Sequence, residues 1–276
     1  MLAQSSQLRH GVWLSSEHDD AYGPMFKARQ IHGYGGSAKL MKLLNAAASP
    51  ELDVYQFGVY TGGSMKALAR KIRSFGHLYG FDSFTGLPEE KMGMKMEGPH
   101  WKPGGFSAAD ALQDWTLPTL LSKIKQHIGM VENVTLIPGY FEQSLKPELA
   151  RSFAFRPALL VDIDVDLYSS TMSCLSWLFE QRILRPGSYV RYDDWRSILQ
   201  MHGEGRAHRE ASLRYNVTWR NLGGGYAKGA GSMNSREWQV VSIGPRRSAP
   251  WQPGELESAM RSMASPEGLW RRIVRP

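Results

Sequence analysis

After Pro50 the chain alternates short apolar runs with amphipathic stretches. The first run, 53–58, reads as a strand and is followed by a helix from about 64 to 75. Further strands are predicted at 77–81, 134–138, 158–164 and 188–192, with helices near 120–127 and 172–179 between them. Runs 216–222 and 238–243, on either side of the hairpin-like GGGYAKGAGSMNS, close the pattern as an antiparallel pair. Strands alternating with helices mark a parallel sheet covered on both faces. The expected fold is therefore α/β: a Rossmann-like doubly wound, mostly parallel seven-stranded sheet with helices on both faces and an antiparallel C-terminal strand pair.

The flanks read differently. Residues 1–24 are polar and irregular, and a helical pattern over 24–48 uses Met25, Ile31, Leu40, Met41, Leu43 and Leu44 as its apolar positions. Between 88 and 118 the chain is too rich in glycine and methionine for a core element, so a long lid-like excursion is expected there. The predicted organisation is an N-terminal helical extension (1–49), a main domain (50–245) carrying a lid-like insertion at about 89–118, and a basic tail (246–276) containing Arg246, Arg247, Arg261, Arg271, Arg272 and Arg275.

Composition narrows the classes. A hydrophobic content of 42% fits a packed globule. No apolar run reaches the roughly 18 residues of a membrane span, and no secretory signal is seen at the N-terminus. One cysteine, Cys174, excludes an intrachain disulfide and any multi-cysteine metal site, so a cytoplasmic location is expected. The net charge of +7 permits an anionic partner. No zinc-finger, RNA-recognition or P-loop pattern accompanies it, and nucleic acid is not expected as a partner. Homo-oligomer formation is left open.

Chemistry enters at QFGVYTGGS. Gly58, Gly62 and Gly63 follow a strand directly and Ser64 opens the next helix, an arrangement that lets backbone approach a ligand at a helix N-terminus. About two dozen residues later Asp82 ends the next strand, where an acid can reach a ribose hydroxyl. Together they point to a nucleoside-bearing cofactor, and spacing alone admits both NAD(P) and S-adenosylmethionine.

In VDIDVDLYSST, strand periodicity sends Asp162, Asp164 and Asp166 to one side if the chain stays extended. Asp193 and Asp194 end the following strand, and both sets would meet at the ligand crevice. Two carboxylates about 4 Å apart repel by roughly 4 kcal/mol at an effective dielectric of 20. A hard divalent cation would offset this, and oxygen-only ligands favour Mg²⁺ or a similar ion over zinc. The competing explanation, helix capping by Asp166, Ser169, Ser170 or Thr171, accounts for one acid and not five.

Five motifs in order, YQFGVYTGGS, GFDSFTGLPE, IPGYFEQSL, DIDVDLYSST and LRPGSYVRYDDW, give the chain a resemblance over about residues 50–245. It resembles class I S-adenosylmethionine-dependent methyltransferases, specifically the macrocin O-methyltransferase group that acts on sugar hydroxyls of natural products. The resemblance implies S-adenosyl-L-methionine and Mg²⁺ as cofactors and a small-molecule or saccharide acceptor. It implies that Phe57, Gly58, Tyr60, Gly63 and Ser64 hold the methionine and ribose side of the cofactor, Asp82 and Ser83 the ribose, and Gly139, Tyr140 and Phe141 the adenine. Asp164, Asp193 and Asp194 would hold the metal, with Asp164 thereby serving catalysis and Asp166 acting as general base. Asp162, also expected among the cofactor-side residues, has no fixed role in the family and is read as a supporting charge. The family commonly has glutamate where this chain has Gln56, and an amide holds a cationic methionine group less strongly. Around His100, Trp101 and Phe106 the excursion would close over the acceptor. A catechol acceptor would use the same metal logic, and a non-catalytic cofactor-binding protein is the rival from another class.

Overall fold

Strand β1 (Asp53–Phe57) is buried at all five positions, Gln56 included. A strand with no wet face belongs in the middle of a sheet covered on both sides. The computed structural model describes residues 36–94, 101–129, 132–195, 202–224, 234–246, 251–252 and 254–264. In it β1 pairs in parallel with β2 (Leu78–Asp82) and β4 (Ala158–Ile163). Beyond them lie β3 (Val134–Pro138) and β5 (Tyr189–Trp195), and the antiparallel β7 (Asn234–Ile243) and β6 (Val217–Gly223) complete the order β3-β2-β1-β4-β5-β7-β6. This is the expected doubly wound sheet.

Alternation along the strands separates two cores. Tyr55 and Phe57 pack with Phe81, Val161 and Ile163 toward α7 (Tyr168–Glu180) and α8 (Gly203–Arg214). On the other side Val54, Leu78 and Leu160 meet α1 (Ala38–Ala47), α2 (Gly63–Lys71) and α4 (Leu117–Ile128). Short helices α5 (Phe141–Ser144) and α6 (Pro147–Ser152) follow β3.

Helix α7 begins four residues before the expected Met172. Its N-cap position is Leu167, which makes no side-chain cap. Instead Glu90, from the insertion, accepts the Ser169 N–H at 3.2 Å, so an acid from outside sits at the positive end of the helix.

The described parts of the excursion, 88–94 and 101–118, carry defined structure that its composition did not suggest. Its base is closed by Leu87 N–H to Gly105 O and Gly104 N–H to Leu87 O, at 2.8 and 2.9 Å. Ser107 then caps α3 (Ala108–Ala111), and Ala108 and Ala109 are buried. Small residues, which carry little hydropathy signal, fill core space there.

Helix α8 was not expected at all. Nearly every side chain on it is buried, including Glu204, His208, Arg209 and Glu210, so no apolar stripe announces it. Within the basic tail, α9 (Glu255–Ala264) buries Met260 and brings Glu257 to 3.8 Å from Arg206 of α8. The readings for residues 1–35, His100, Arg247, Arg271, Arg272, Arg275 and most of the 223–235 loop lie outside the described residues. Among the described residues no helix is long and apolar enough to cross a membrane.

Candidate active site

The carboxyl ends of β1 to β4 open into one cleft. Its first wall is the turn after β1. Gly58 has φ +82°, and a Cβ there would stand 1.8 Å from the Asp164 carbonyl oxygen, so both conformation and close approach demand glycine. Gly62, at φ +89°, is the N-cap of α2, whose first residues Gly63 and Ser64 line the cleft. The positive end of α2 therefore faces the cavity.

Asp82 braces this turn. One carboxylate oxygen accepts the N–H groups of Val59 and Tyr60 at 2.7 and 2.8 Å, and the other accepts Phe84 N–H at 2.7 Å. These bonds hold Tyr60 at its positive φ of 50°. Burial pushes the Asp82 pKa up, and the three backbone N–H groups oppose that rise. Asp82 also lines the cleft, and a carboxylate with about four acceptor positions is not exhausted by three bonds.

Gln56 sits directly behind, fully buried, with its amide donating to Gly58 O at 2.9 Å. A glutamate at this position has no proton to donate when ionised, so the amide ties down the glycine turn as the acid would not.

The far wall is formed by Ser83 after β2 and by Gly139, Tyr140 and Phe141 after β3. Phe57 does not reach the cleft. It is fully buried, stacked on Phe81 at 4.7 Å and meeting Phe141 edge-on at 5.9 Å, so it supports the Phe141 wall from beneath.

Of the three acids of VDIDVD, Asp164 and Asp166 reach the cleft and Asp162 does not. β4 ends at Ile163, and Asp166 adopts φ +57°, which breaks the alternation. Asp164 and Asp166 line the cleft. Asp166 accepts a 2.8 Å hydrogen bond from the Trp101 indole, so the insertion contacts this carboxylate, and Phe106 lines the same cavity. Asp162 stays in the strand, between Gln56 and Arg191 in register, with its side chain fully buried away from the cleft. It has no surface to offer a cofactor.

Asp162 instead neutralises Arg191. The guanidinium donates to Asp162 at 2.6 Å and also to Asp193. Burial works against the Arg191 charge, but the flanking carboxylates of Asp162 and Asp193 raise its pKa overall. Burial likewise pushes Asp162 up, opposed by Arg191.

Asp164, Asp193 and Asp194 come together, each offering an oxygen within 4.8 Å of the others. Opposite oxygens around Mg²⁺ stand about 4.2 Å apart, and around Ca²⁺ roughly 4.6–5.2 Å. At its outer bound this spacing lies within the Ca²⁺ range and above the Mg²⁺ one, so the set would hold one hard cation once the carboxylates draw inward. Its hydrogen bond to Arg191 does not exhaust Asp193, which has acceptor positions on two oxygens.

Below this set lies an acid that the sequence reading missed. Glu204, at the start of α8 and fully buried, accepts Val165 N–H at 3.1 Å and Asp194 N–H at 2.9 Å. Burial first, then the carboxylates of Asp194 and Asp164, drive its pKa well above the ordinary range. An acid in the first turn of an otherwise polar segment gave no distinguishing signal. Arg191, an arginine inside a strand, did give one.

The fold is similar to that of the calicheamicin methyltransferase CalS11, with 19% identity over 81% of this chain and 80% of that one, at a TM-score of 0.53. The O-methyltransferase NovP is similar at 18% identity, covering 78% and 79% of the two chains, with a TM-score of 0.50. No curated protein sequence matches the chain. Residues 38–213, well over half of the 276, match the Macrocin-O-methyltransferase (TylF) family, and with the glycine-turn cleft and the acids at the ends of β4 and β5 in place, the chain belongs to that family of methyltransferases.

Proposed function

We propose that this O-methyltransferase uses S-adenosyl-L-methionine and a Mg²⁺-like cation to methylate a hydroxyl of a sugar, on a natural-product glycoside or a saccharide. The observation that carries this reading is the Asp164, Asp193 and Asp194 carboxylate set at the edge of the glycine-turn cleft. S-adenosyl-L-methionine, when bound, supplies an electrophilic methyl group. A bound divalent cation would lower the pKa of a coordinated hydroxyl.

The residues then divide the work. Gly58, Tyr60, Gly63 and Ser64 cradle the amino-acid side of the cofactor, with the N-terminus of α2 suited to its carboxylate. Asp82 and Ser83 face the ribose, and Tyr140 and Phe141 with Gly139 face the adenine. Asp166 accepts the proton of the attacking hydroxyl at its carboxylate. Trp101 and Phe106 cover the acceptor and present aromatic faces to sugar C–H surfaces. Because methyl transfer needs an in-line approach, positioning by these groups supplies most of the acceleration.

Two measurements test this. Titration calorimetry with S-adenosyl-L-methionine should give one site per chain; heat with NADH and none with S-adenosyl-L-methionine would refute the cofactor assignment. Mass spectrometry of products from deoxysugar glycosides, free and nucleotide-linked sugars, oligosaccharides and catechols should show a 14 Da gain on a sugar. Methylation of catechols alone would overturn the sugar assignment while leaving the metal reading intact.

A further inference from the structure

The ladder between β4 and β5 stops at the pair Ile163 and Tyr192. All three acids of the triad lie beyond it, and the pairing of β5 with β7 is itself irregular between Tyr192 and Trp195. Sheet hydrogen bonds therefore do not set the distance between peptide 164–165 and peptide 193–194. Those two peptide units carry Asp164, Asp193 and Asp194. On one side Asp164 is tied to β1, by its N–H to Phe57 O at 2.9 Å, but this says nothing about where β5 stands.

We propose that Glu204 is a positioning residue that replaces the missing rung and sets the spacing of the cation ligands before any cation arrives. One of its oxygens takes Val165 N–H, at the 164–165 peptide, and the other takes Asp194 N–H, at the 193–194 peptide. A single side chain from α8 thus bridges both acid-bearing strand ends. The chemistry of the choice is informative. Glu204 is completely buried beside other acids, the costliest place for a carboxyl group, so filling space alone would favour a neutral residue. Its two oxygens are separated acceptors, and each takes an N–H from a different strand end. This inference rests on the reading that the triad holds a divalent cation.

The test uses the full chain and Mn²⁺, followed by electron paramagnetic resonance, with S-adenosyl-L-methionine affinity measured in parallel. Glu204→Gln keeps the shape but faces one of the two N–H groups with an amide donor. Glu204→Asp keeps the carboxyl group but is too short to span both. Each variant should bind Mn²⁺ about 10- to 100-fold more weakly than wild type, the range for residues that orient metal ligands, with S-adenosyl-L-methionine affinity within about twofold. A folded Glu204→Asp that binds Mn²⁺ as tightly as wild type would mean that the reach of the side chain across both strand ends does not matter, and would overturn the proposal. Should neither variant fold, the wild type decides: without metal, its Val165 and Asp194 amide protons should be shifted downfield and protected from exchange, and ordinary, freely exchanging signals would refute the bridge. Absence of Mn²⁺ binding by the wild type would refute the cation reading and not the bridge, which the amide signals then settle alone.

Discussion

Replacing Asp162 by alanine removes the buried counter-charge of Arg191. The two side chains are 0% and 8% exposed and meet at 2.6 Å, so water does not screen the change. Breaking such a pair from one side costs about 3–5 kcal/mol, because the remaining charge stays buried. Arg191 keeps Asp193 as a second partner, which places the expected loss near the lower end, about 3 kcal/mol. For a chain of this size that is a fall in Tm of roughly 6–12 °C. Urea unfolding followed by tryptophan fluorescence, alongside a thermal scan, measures both. The double variant Asp162→Leu with Arg191→Met should recover most of the stability, since a well-packed apolar pair often equals a buried ion pair. It should nevertheless bind Mn²⁺ less well, because Asp193 loses its anchor. An Asp162→Ala protein within about 0.5 kcal/mol of wild type, the range of an ordinary surface change, would show that the Arg191 charge is not held as described.

Three other outcomes are expected. Gln56→Glu should cost at least about 2 kcal/mol by urea midpoint, since the new carboxylate loses the bond to Gly58 O and lies in register with Asp162; a variant of equal stability and tighter cofactor binding would contradict this. Asp166→Asn should lower turnover by about 10²- to 10⁴-fold with cofactor affinity unchanged by calorimetry, and near-normal turnover would remove it as the base. His208 is fully buried, its ring nitrogen 3.0 Å from the Tyr192 hydroxyl, and burial with the Arg209 charge lowers its pKa to about 3. Because the unfolded ring protonates near 6.5, this contribution is present above pH 6.5 and lost as pH falls from there toward 3. Between pH 7 and pH 5 the wild type should lose about 2 kcal/mol more than His208→Gln. Equal slopes in the two proteins would show that His208 is not held neutral.

The parts of the molecule that were legible in advance share one physical property. Strands β1 to β5 are short apolar runs bounded by breakers, and their order of alternation with helices admits few topologies. The acid set at Asp164, Asp193 and Asp194 was legible because like charges at strand ends have few neutral explanations. What was missed depends on polar groups solving their problems in three dimensions. Helix α8 buries Glu204 against backbone N–H groups and His208 among Tyr192, Trp219 and Trp238, none of which leaves a periodic apolar trace. The expectation of one acidic face for Asp162, Asp164 and Asp166 assumed extended chain throughout; β4 ends at Ile163, Asp164 and Asp166 reach the cleft beyond it, and Asp162 stays buried in the strand. Asp162 was expected on the cofactor side only as a supporting charge with no role of its own, and its register with Arg191 reveals its partner.

Metal dependence of methyl transfer bears most directly on the account. With an acceptor from the sugar panel, release of S-adenosylhomocysteine by wild type should vanish in excess chelator and return with Mg²⁺, while Asp164→Ala, with its fold retained, should stay inactive throughout. Turnover that continues undiminished in chelator, or an Asp164→Ala protein as active as wild type, would contradict the assignment of the acid set.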